Sequence, residues 1–167
     1  VADYRRELAY NLYNKMLNAR MVEVQLQPAP PFTFAYTGYG SDVGDLATYT
    51  LYAFVREGGA LAGIGSVLTE TRRALLHGFT ETELERHKAD LLQSVENDYK
   101  EREKMQSGSL AGRYVYHYLK NNPIPSPEQR LQLYRELLPT IGLEDVNPLA
   151  RRWLTDSNRV EIITGPE

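Results

Sequence analysis

The sequence predicts an α+β domain: an antiparallel sheet, made of a hairpin over about residues 32–55 and a C-terminal strand over about 159–164, packed against several α-helices. Three observations carry this. Apolar residues recur at helical spacing near the start, alternation takes over between Phe32 and Val55, and from Ala60 the helical period returns for most of the chain. Helices that follow a hairpin pack on its sheet, which argues against a helix bundle alone. At 167 residues the chain has the size of one domain spanning 1–167 and can bury a core.

Leu8, Leu12 and Met16, with Tyr13 and Leu17 beside them, predict a first helix from Asp3, a candidate N-cap, to about Asn18. A short extended piece is expected over Val22 to Gln27, and Pro28, Pro30 and Pro31 interrupt any ladder after it. Phe32, Phe34 and Tyr36 alternate with Thr33, Ala35 and Thr37, the period of a strand. Gly40 to Asp45 reads as a turn, and Tyr49, Leu51, Ala53 and Val55 alternate with Thr48, Thr50, Tyr52 and Phe54 in a second strand. Both faces of that strand are apolar or aromatic, so it is expected inside a sheet with one face covered by helices.

Thr80-Glu81-Thr82-Glu83 is a capping box, in which the threonine hydroxyl accepts from the N3 amide and Glu83 reaches back to the N-cap amide. The helix it opens carries Leu84, Leu91, Leu92, Val95 and Tyr99 and is expected to reach about Met105, where Ser107-Gly108-Ser109 breaks it. Tyr114, Val115, Tyr118 and Leu119 form the apolar stripe of a shorter helix ended by Asn121-Asn122-Pro123. Ser126-Pro127-Glu128-Gln129 is a second strong helix start. Val146, Leu149, Ala150, Trp153 and Leu154 predict one more helix, with Pro148 tolerated only in its first turn, before the final strand from Arg159 to Thr164.

Charge and composition exclude several functions. A net charge of −3, from 19 basic and 22 acidic residues spread along the chain, leaves no electrostatic footprint for nucleic acid or an anionic bilayer. The longest uncharged apolar stretch, Ala60 to Leu68, is half the ~18 residues a membrane-spanning helix needs, so no membrane insertion is expected. Without cysteine there is neither a disulfide nor thiol chemistry, and the compartment stays open. Val1 is not an initiator methionine and helical pattern begins almost at once, so the chain is expected to be a piece of a longer parent.

Three histidines, His77, His87 and His117, stand ten and thirty residues apart, and neither H-x-x-E-H nor H-E-x-x-H occurs. A zinc site needs three or four converging ligands, and helical sites supply two histidines four residues apart on one face. No metal ligand and no catalytic residue is therefore expected in this chain. His87, between charged neighbours, is expected to be solvated, and His77 to sit in a helix-end turn. Gly58, Gly59, Gly63 and Gly65 imitate a dinucleotide-binding turn, but Leu68 stands where the third glycine belongs. A helix packed closely on the sheet explains those glycines. No G-x-S-x-G turn is present.

Four stretches occur in a telling order: Leu17 to Glu23 (LNARMVE), Pro30-Pro31-Phe32, His77 to Glu85 (HGFTETELE), and Asn158-Arg159-Val160 through Gly165-Pro166-Glu167. Together they resemble the insulinase/pitrilysin-like zinc metallopeptidases over nearly the whole chain. The resemblance implies homologous α+β domains repeated along a parent and closing two halves around a chamber, with zinc held by a first domain that bears the inverted motif. It implies that this chain is the later part of a second, non-catalytic domain, with the other domains of the parent and peptide substrates as its partners. The second half of such enzymes carries an Arg and a Tyr seven residues apart that bind the scissile carbonyl. Arg20 matches the arginine, but Gln27 stands at the tyrosine position, which places the chain in the first half. An ion pair of Arg20 with a nearby carboxylate such as Glu23 is the plainer expectation. The bacterial branch most resembled implies the periplasm or cell envelope, with the cytoplasm as the alternative.

Twelve tyrosines outnumber four phenylalanines and one tryptophan. Tyrosine suits surfaces that are half wet, because its ring packs while its hydroxyl stays with water. Tyr36, Tyr39, Tyr49 and Tyr52 lie on the hairpin and are the candidate peptide-contact residues, with packing under helices of the same domain as the alternative for each. Two function classes follow: a chamber-lining domain of a zinc endopeptidase, or a structural, assembly domain of a family member that has lost its zinc motif. An unrelated α+β binding module is the third.

Overall fold

The computed structural model describes residues 1–43, 46–120, 123–155 and 157–165. The chain forms two compact units, Val1–Glu85 together with Ile141–Glu167, and Arg86–Thr140.

In the first unit, α1 (Ala2–Gln25) runs about two turns past its expected end. Val22 to Gln25 is helical and not extended, because Met21 and Val24 prolong the buried stripe of Leu8, Leu12, Tyr13, Met16 and Leu17. Burial of that stripe outweighs the lower helix propensity of β-branched Val22 and Val24. β1 (Phe34–Val43) and β2 (Leu46–Phe54) pair antiparallel, with Phe34 opposite Phe54, Tyr36 opposite Tyr52 and Tyr39 opposite Tyr49. Of the turn expected over Gly40 to Asp45, the first part is strand through Val43, and Gly44 and Asp45 lie outside the described residues. The Asn18 carboxamide fastens α1 to β1: its Nδ2 donates to the Thr37 carbonyl (2.9 Å), and its Oδ1 accepts from the Thr37 N–H (2.7 Å).

α2 (Ala60–His77) packs closely at the foot of the hairpin. Gly63 is buried, and a Cβ there would collide with the Val55 side chain, so its smallness sets the approach. Gly78 closes α2 at φ +69°, where the Asn147 carboxamide lies 2.6 Å from the place a Cβ would take. The helix expected from Val146 to Leu154 is split into α6 (Leu143–Val146) and α7 (Leu149–Trp153). Pro148, which has no N–H, stands as the N-cap of the second piece, and Asn147 turns aside to accept from the Phe79 N–H at 2.8 Å. The strand expected over Arg159 to Thr164 does not form: the sheet has two strands, and Val160 and Ile162 are 82% and 80% exposed. Alternation alone makes no strand without a neighbour to complete the ladder, and among the described residues none pairs with this segment.

α3 (Glu81–Lys100) begins on the expected capping box: Glu83 Oε2 accepts from the Thr80 N–H (2.7 Å) and Thr80 Oγ1 from the Glu83 N–H (3.3 Å). It ends at Lys100, short of Met105, and a 3-10 turn over Arg102–Lys104 follows. Ser107 opens α4 (Ser107–Lys120), so the Ser-Gly-Ser stretch starts a helix where a break was expected. Asn121 and Asn122, part of the expected stop, lie outside the described residues. α5 (Pro127–Leu137) carries the full Ser126/Gln129 capping box. In the second unit Leu91 and Val95 of α3 and Leu131, Tyr134, Leu137 and Leu138 are buried, and Arg130–Asp98 (3.1 Å) and Arg135–Glu96 (2.7 Å) flank them.

Candidate functional site

A strand alternates its side chains, so the hairpin divides its own aromatic residues by parity. Tyr39 and Tyr49 point inward and stack on the Trp153 ring of α7, each at 5.0 Å between centroids, with interplanar angles of 18° and 14°. Tyr10 and Tyr13 of α1 meet the same indole edge-on at 4.9 and 5.0 Å. Burial pushes the Tyr13 hydroxyl up to about 12 and moves Tyr49 upward as well, so both stay neutral near pH 7.

The outward face is different. Tyr36 and Tyr52 are 50% and 44% exposed, and Phe34 and Phe54, at 46% and 54%, extend the same surface. The two phenylalanine rings lie 6.4 Å apart across the strands, and Tyr52 meets Phe54 edge-on at 4.7 Å. Gly38 lets the Tyr36 ring lie along the strand, since a Cβ there would stand 2.8 Å from Tyr36 Cε1. Four half-wet rings form a contiguous apolar platform, the kind of exposed patch that takes a partner. The tyrosine count names Tyr36, Tyr39, Tyr49 and Tyr52 alike, without separating the inward pair from the outward one, and it misses Phe34 and Phe54. The shared parity of 34, 36, 52 and 54 is the signal that finds them. Trp153, which collects the inward rings, has no comparable local signal.

Arg20 and Gln27 are not brought together. Arg20 Nε donates to Glu83 Oε1 at 2.7 Å, Nη2 donates to Glu83 Oε2 at 3.0 Å and to the Gly78 carbonyl at 2.9 Å, and the guanidinium lies 4.6 Å over the Phe79 ring. The carboxylate partner is thus Glu83 and not Glu23, which is exposed. Burial would raise the Glu83 carboxyl, but Arg20 and the Thr80 N–H and hydroxyl outweigh it and hold it at about 2. Gln27 lies exposed beyond the end of α1.

His87 corrects another expectation. It is buried on α3, its Nδ1 3.4 Å from Asp90 Oδ2, because it falls on the helix face that also buries Leu84, Leu91 and Lys88. His77 and His117 are exposed. Among the described residues no group of three or more His, Cys, Asp or Glu side chains is placed to hold a metal ion. Among them, too, no helix is long and apolar enough to cross a membrane.

An α1 helix clamped on a two-stranded hairpin, with Trp153 of α7 closing its inner face, makes the first unit an α+β arrangement. The fold matches the first half of the periplasmic protease PqqL from Escherichia coli with a TM-score of 0.81 at 18% identity, covering 89% of this chain and 32% of that one. It matches an insulinase family protease from Yersinia pestis at a TM-score of 0.74 and 13% identity, covering 89% and 32%. A third structure, the ferredoxin protease FusC in complex with Arabidopsis ferredoxin, matches at 0.65 and 21% identity, covering 90% and 17%. In sequence, the chain is 31% identical over 155 residues to a PQQL-like zinc protease of Arabidopsis thaliana, covering 93% of this chain and 13% of that protein. No family model matches. The chain is an insulinase/pitrilysin-like fragment, similar to part of the PqqL-like zinc proteases, and it spans about an eighth of the length of its Arabidopsis relative.

Proposed function

We propose that this chain is a non-catalytic domain of a zinc-dependent metalloendopeptidase, lining the chamber in which peptides are held while a sister domain of the same parent cleaves them. The outward face of the hairpin carries this reading: Phe34, Tyr36, Tyr52 and Phe54 stand half-exposed on a fold shared with protease halves. Apolar side chains of an unfolded peptide pack on such rings, and the open sheet edges offer N–H and C=O groups for strand addition. Arg20 supports the same reading, since Glu83 and the Gly78 carbonyl hold its Nε and Nη2 and make it a structural staple. Zinc held by the sister domain would supply an activated water and polarise the scissile carbonyl. This chain supplies surface and rigidity.

The test is made in the full-length parent. Tyr36→Ser with Tyr52→Ser is expected to raise KM for an apolar peptide about 3–10-fold with kcat within about twofold, the signature of lost ground-state binding. Unchanged KM overturns the contact face. A parent without chelator-sensitive peptide cleavage makes the domain an assembly module of an inactive family member.

A further inference from the structure

We infer that Gly40 is a specificity-determining residue of the hairpin's outward face, where it leaves a seat for one large, uncharged, apolar side chain of an extended peptide; this rests on the chamber reading above and names the substrate class that the face selects. The register sets that face out in four cross-strand rows: Phe34 with Phe54, Tyr36 with Tyr52, Gly38 with Thr50, and Gly40 with Thr48. Glycine inside a strand costs stability and needs a reason. The reasons that a fold itself supplies are a crowding neighbour, a left-handed backbone or a bulge. Gly38 has the first, because the Tyr36 ring fills the place of its Cβ. Gly40 has none of them: no atom lies within 4 Å of the place its Cβ would take, its φ is not left-handed, and the register shift falls beyond it, between Ser41 and Val43. A strand glycine without a reason inside its own fold marks a place where another group comes close.

Tyr36 and the absence of charge decide which group that is. The Tyr36 hydroxyl lies 2.9 Å from the Cβ place of Gly38, so the phenol points along β1 toward Gly40 and walls the seat at one end. Thr48, half-buried, bounds it across the ladder. None of the eight outward residues in the four rows is charged, so a charged side chain seated there would lose hydration and gain no partner. An aliphatic or aromatic side chain has no such penalty and buries its surface against the phenol. Alternate side chains of an extended segment are about 6.8 Å apart, the same spacing as the rows of β1. A segment that seats one side chain at Gly40 therefore lays the following ones over the tyrosine and phenylalanine rows, and the seat and the rings are filled together.

The experiment uses the full-length parent with a chelator present to stop cleavage, and short labelled peptides that are otherwise uncharged and differ at one central position, Phe, Ala or Asp, read by fluorescence anisotropy. The Phe peptide is expected to bind about tenfold more tightly than the Ala peptide, and the Asp peptide no better than Ala. Gly40→Val fills the seat with a side chain that suits a strand and meets no neighbour. It should weaken the Phe peptide about fivefold and the Ala peptide less than about twofold, with Gly40→Ala in between. An equal shift for both peptides, or no shift, overturns the seat. So does a Gly40→Val parent whose thermal midpoint falls while both affinities stay unchanged, because a wall of the parent and not a peptide then covers Gly40. The double variant Tyr36→Ser with Tyr52→Ser separates this seat from the reading it rests on: if that variant leaves binding unchanged, the contact face falls and the seat with it, and if it weakens binding where Gly40→Val does not, only the seat falls.

Discussion

Tyr39 and Tyr49 occupy the same two strands as Tyr36 and Tyr52, in the same ladder, and the two pairs have opposite surroundings. The inward pair is stacked on Trp153 between α1 and α7, and the outward pair stands half in water beside Phe34 and Phe54. Residue type does not separate them; position relative to α1 does. Asn18 fixes that position by binding both backbone groups of Thr37, which turns Ala35, Thr37 and Tyr39 to the helix and leaves Phe34 and Tyr36 outside. One face is thus spent on stability and the other remains open for binding.

The comparison breaks most visibly at Trp153. Trp153→Ala removes two stacked and two edge-on ring contacts at once. Replacing a packed Trp by Ala costs about 3–5 kcal/mol, and the lower end applies because the indole is only partly buried. Urea unfolding of the chain should show a loss near 3 kcal/mol. A loss below about 1 kcal/mol would mean that the inward face is not the stabilising one.

A smaller effect belongs to the staple beside that face. The Glu83 carboxyl is held at about 2 against an ordinary 4.5, despite burial that pushes the other way. A carboxyl depressed in the folded state contributes stability that is complete above about pH 4.5 and is lost as pH falls toward 2. With the side chain 21% exposed, the contribution is on the order of 2 kcal/mol. Glu83→Gln should therefore flatten the decline of unfolding free energy between pH 5 and pH 2, as measured by urea titration at each pH. A decline identical to that of the unaltered chain would remove Arg20–Glu83 as a staple.

How much of this was legible in the sequence depends on how local each signal is. The Thr80/Glu83 and Ser126/Gln129 boxes are local, three residues from cap to partner, and both form as read. Parity in the hairpin is local too, and it puts Tyr36 and Tyr52 on one face. Long-range contacts were not legible. Arg20 takes a carboxylate 63 residues away in place of one three residues away, and Trp153 reaches rings contributed by α1 and both strands. The final segment failed for a related reason: Val160, Ile162 and Ile163 have a strand's composition, but pairing is decided by a neighbour that alternation does not reveal.

The smallest effect is the one that sharpens the comparison. Tyr36→Ser or Tyr52→Ser in the 167-residue chain removes a half-exposed ring from a cross-strand pair, and such pairs contribute about 0.2–1 kcal/mol. A loss within about 0.5 kcal/mol per substitution is expected by urea unfolding, several times smaller than at Trp153. The same substitutions are expected to raise KM in the parent, so a residue nearly silent in stability would be audible in binding. That pairing of results is what distinguishes an interaction surface from a core wall. A loss above about 2 kcal/mol would instead place Tyr36 in the load shared with Tyr39, and the outward face would lose the ground for being assigned to peptide.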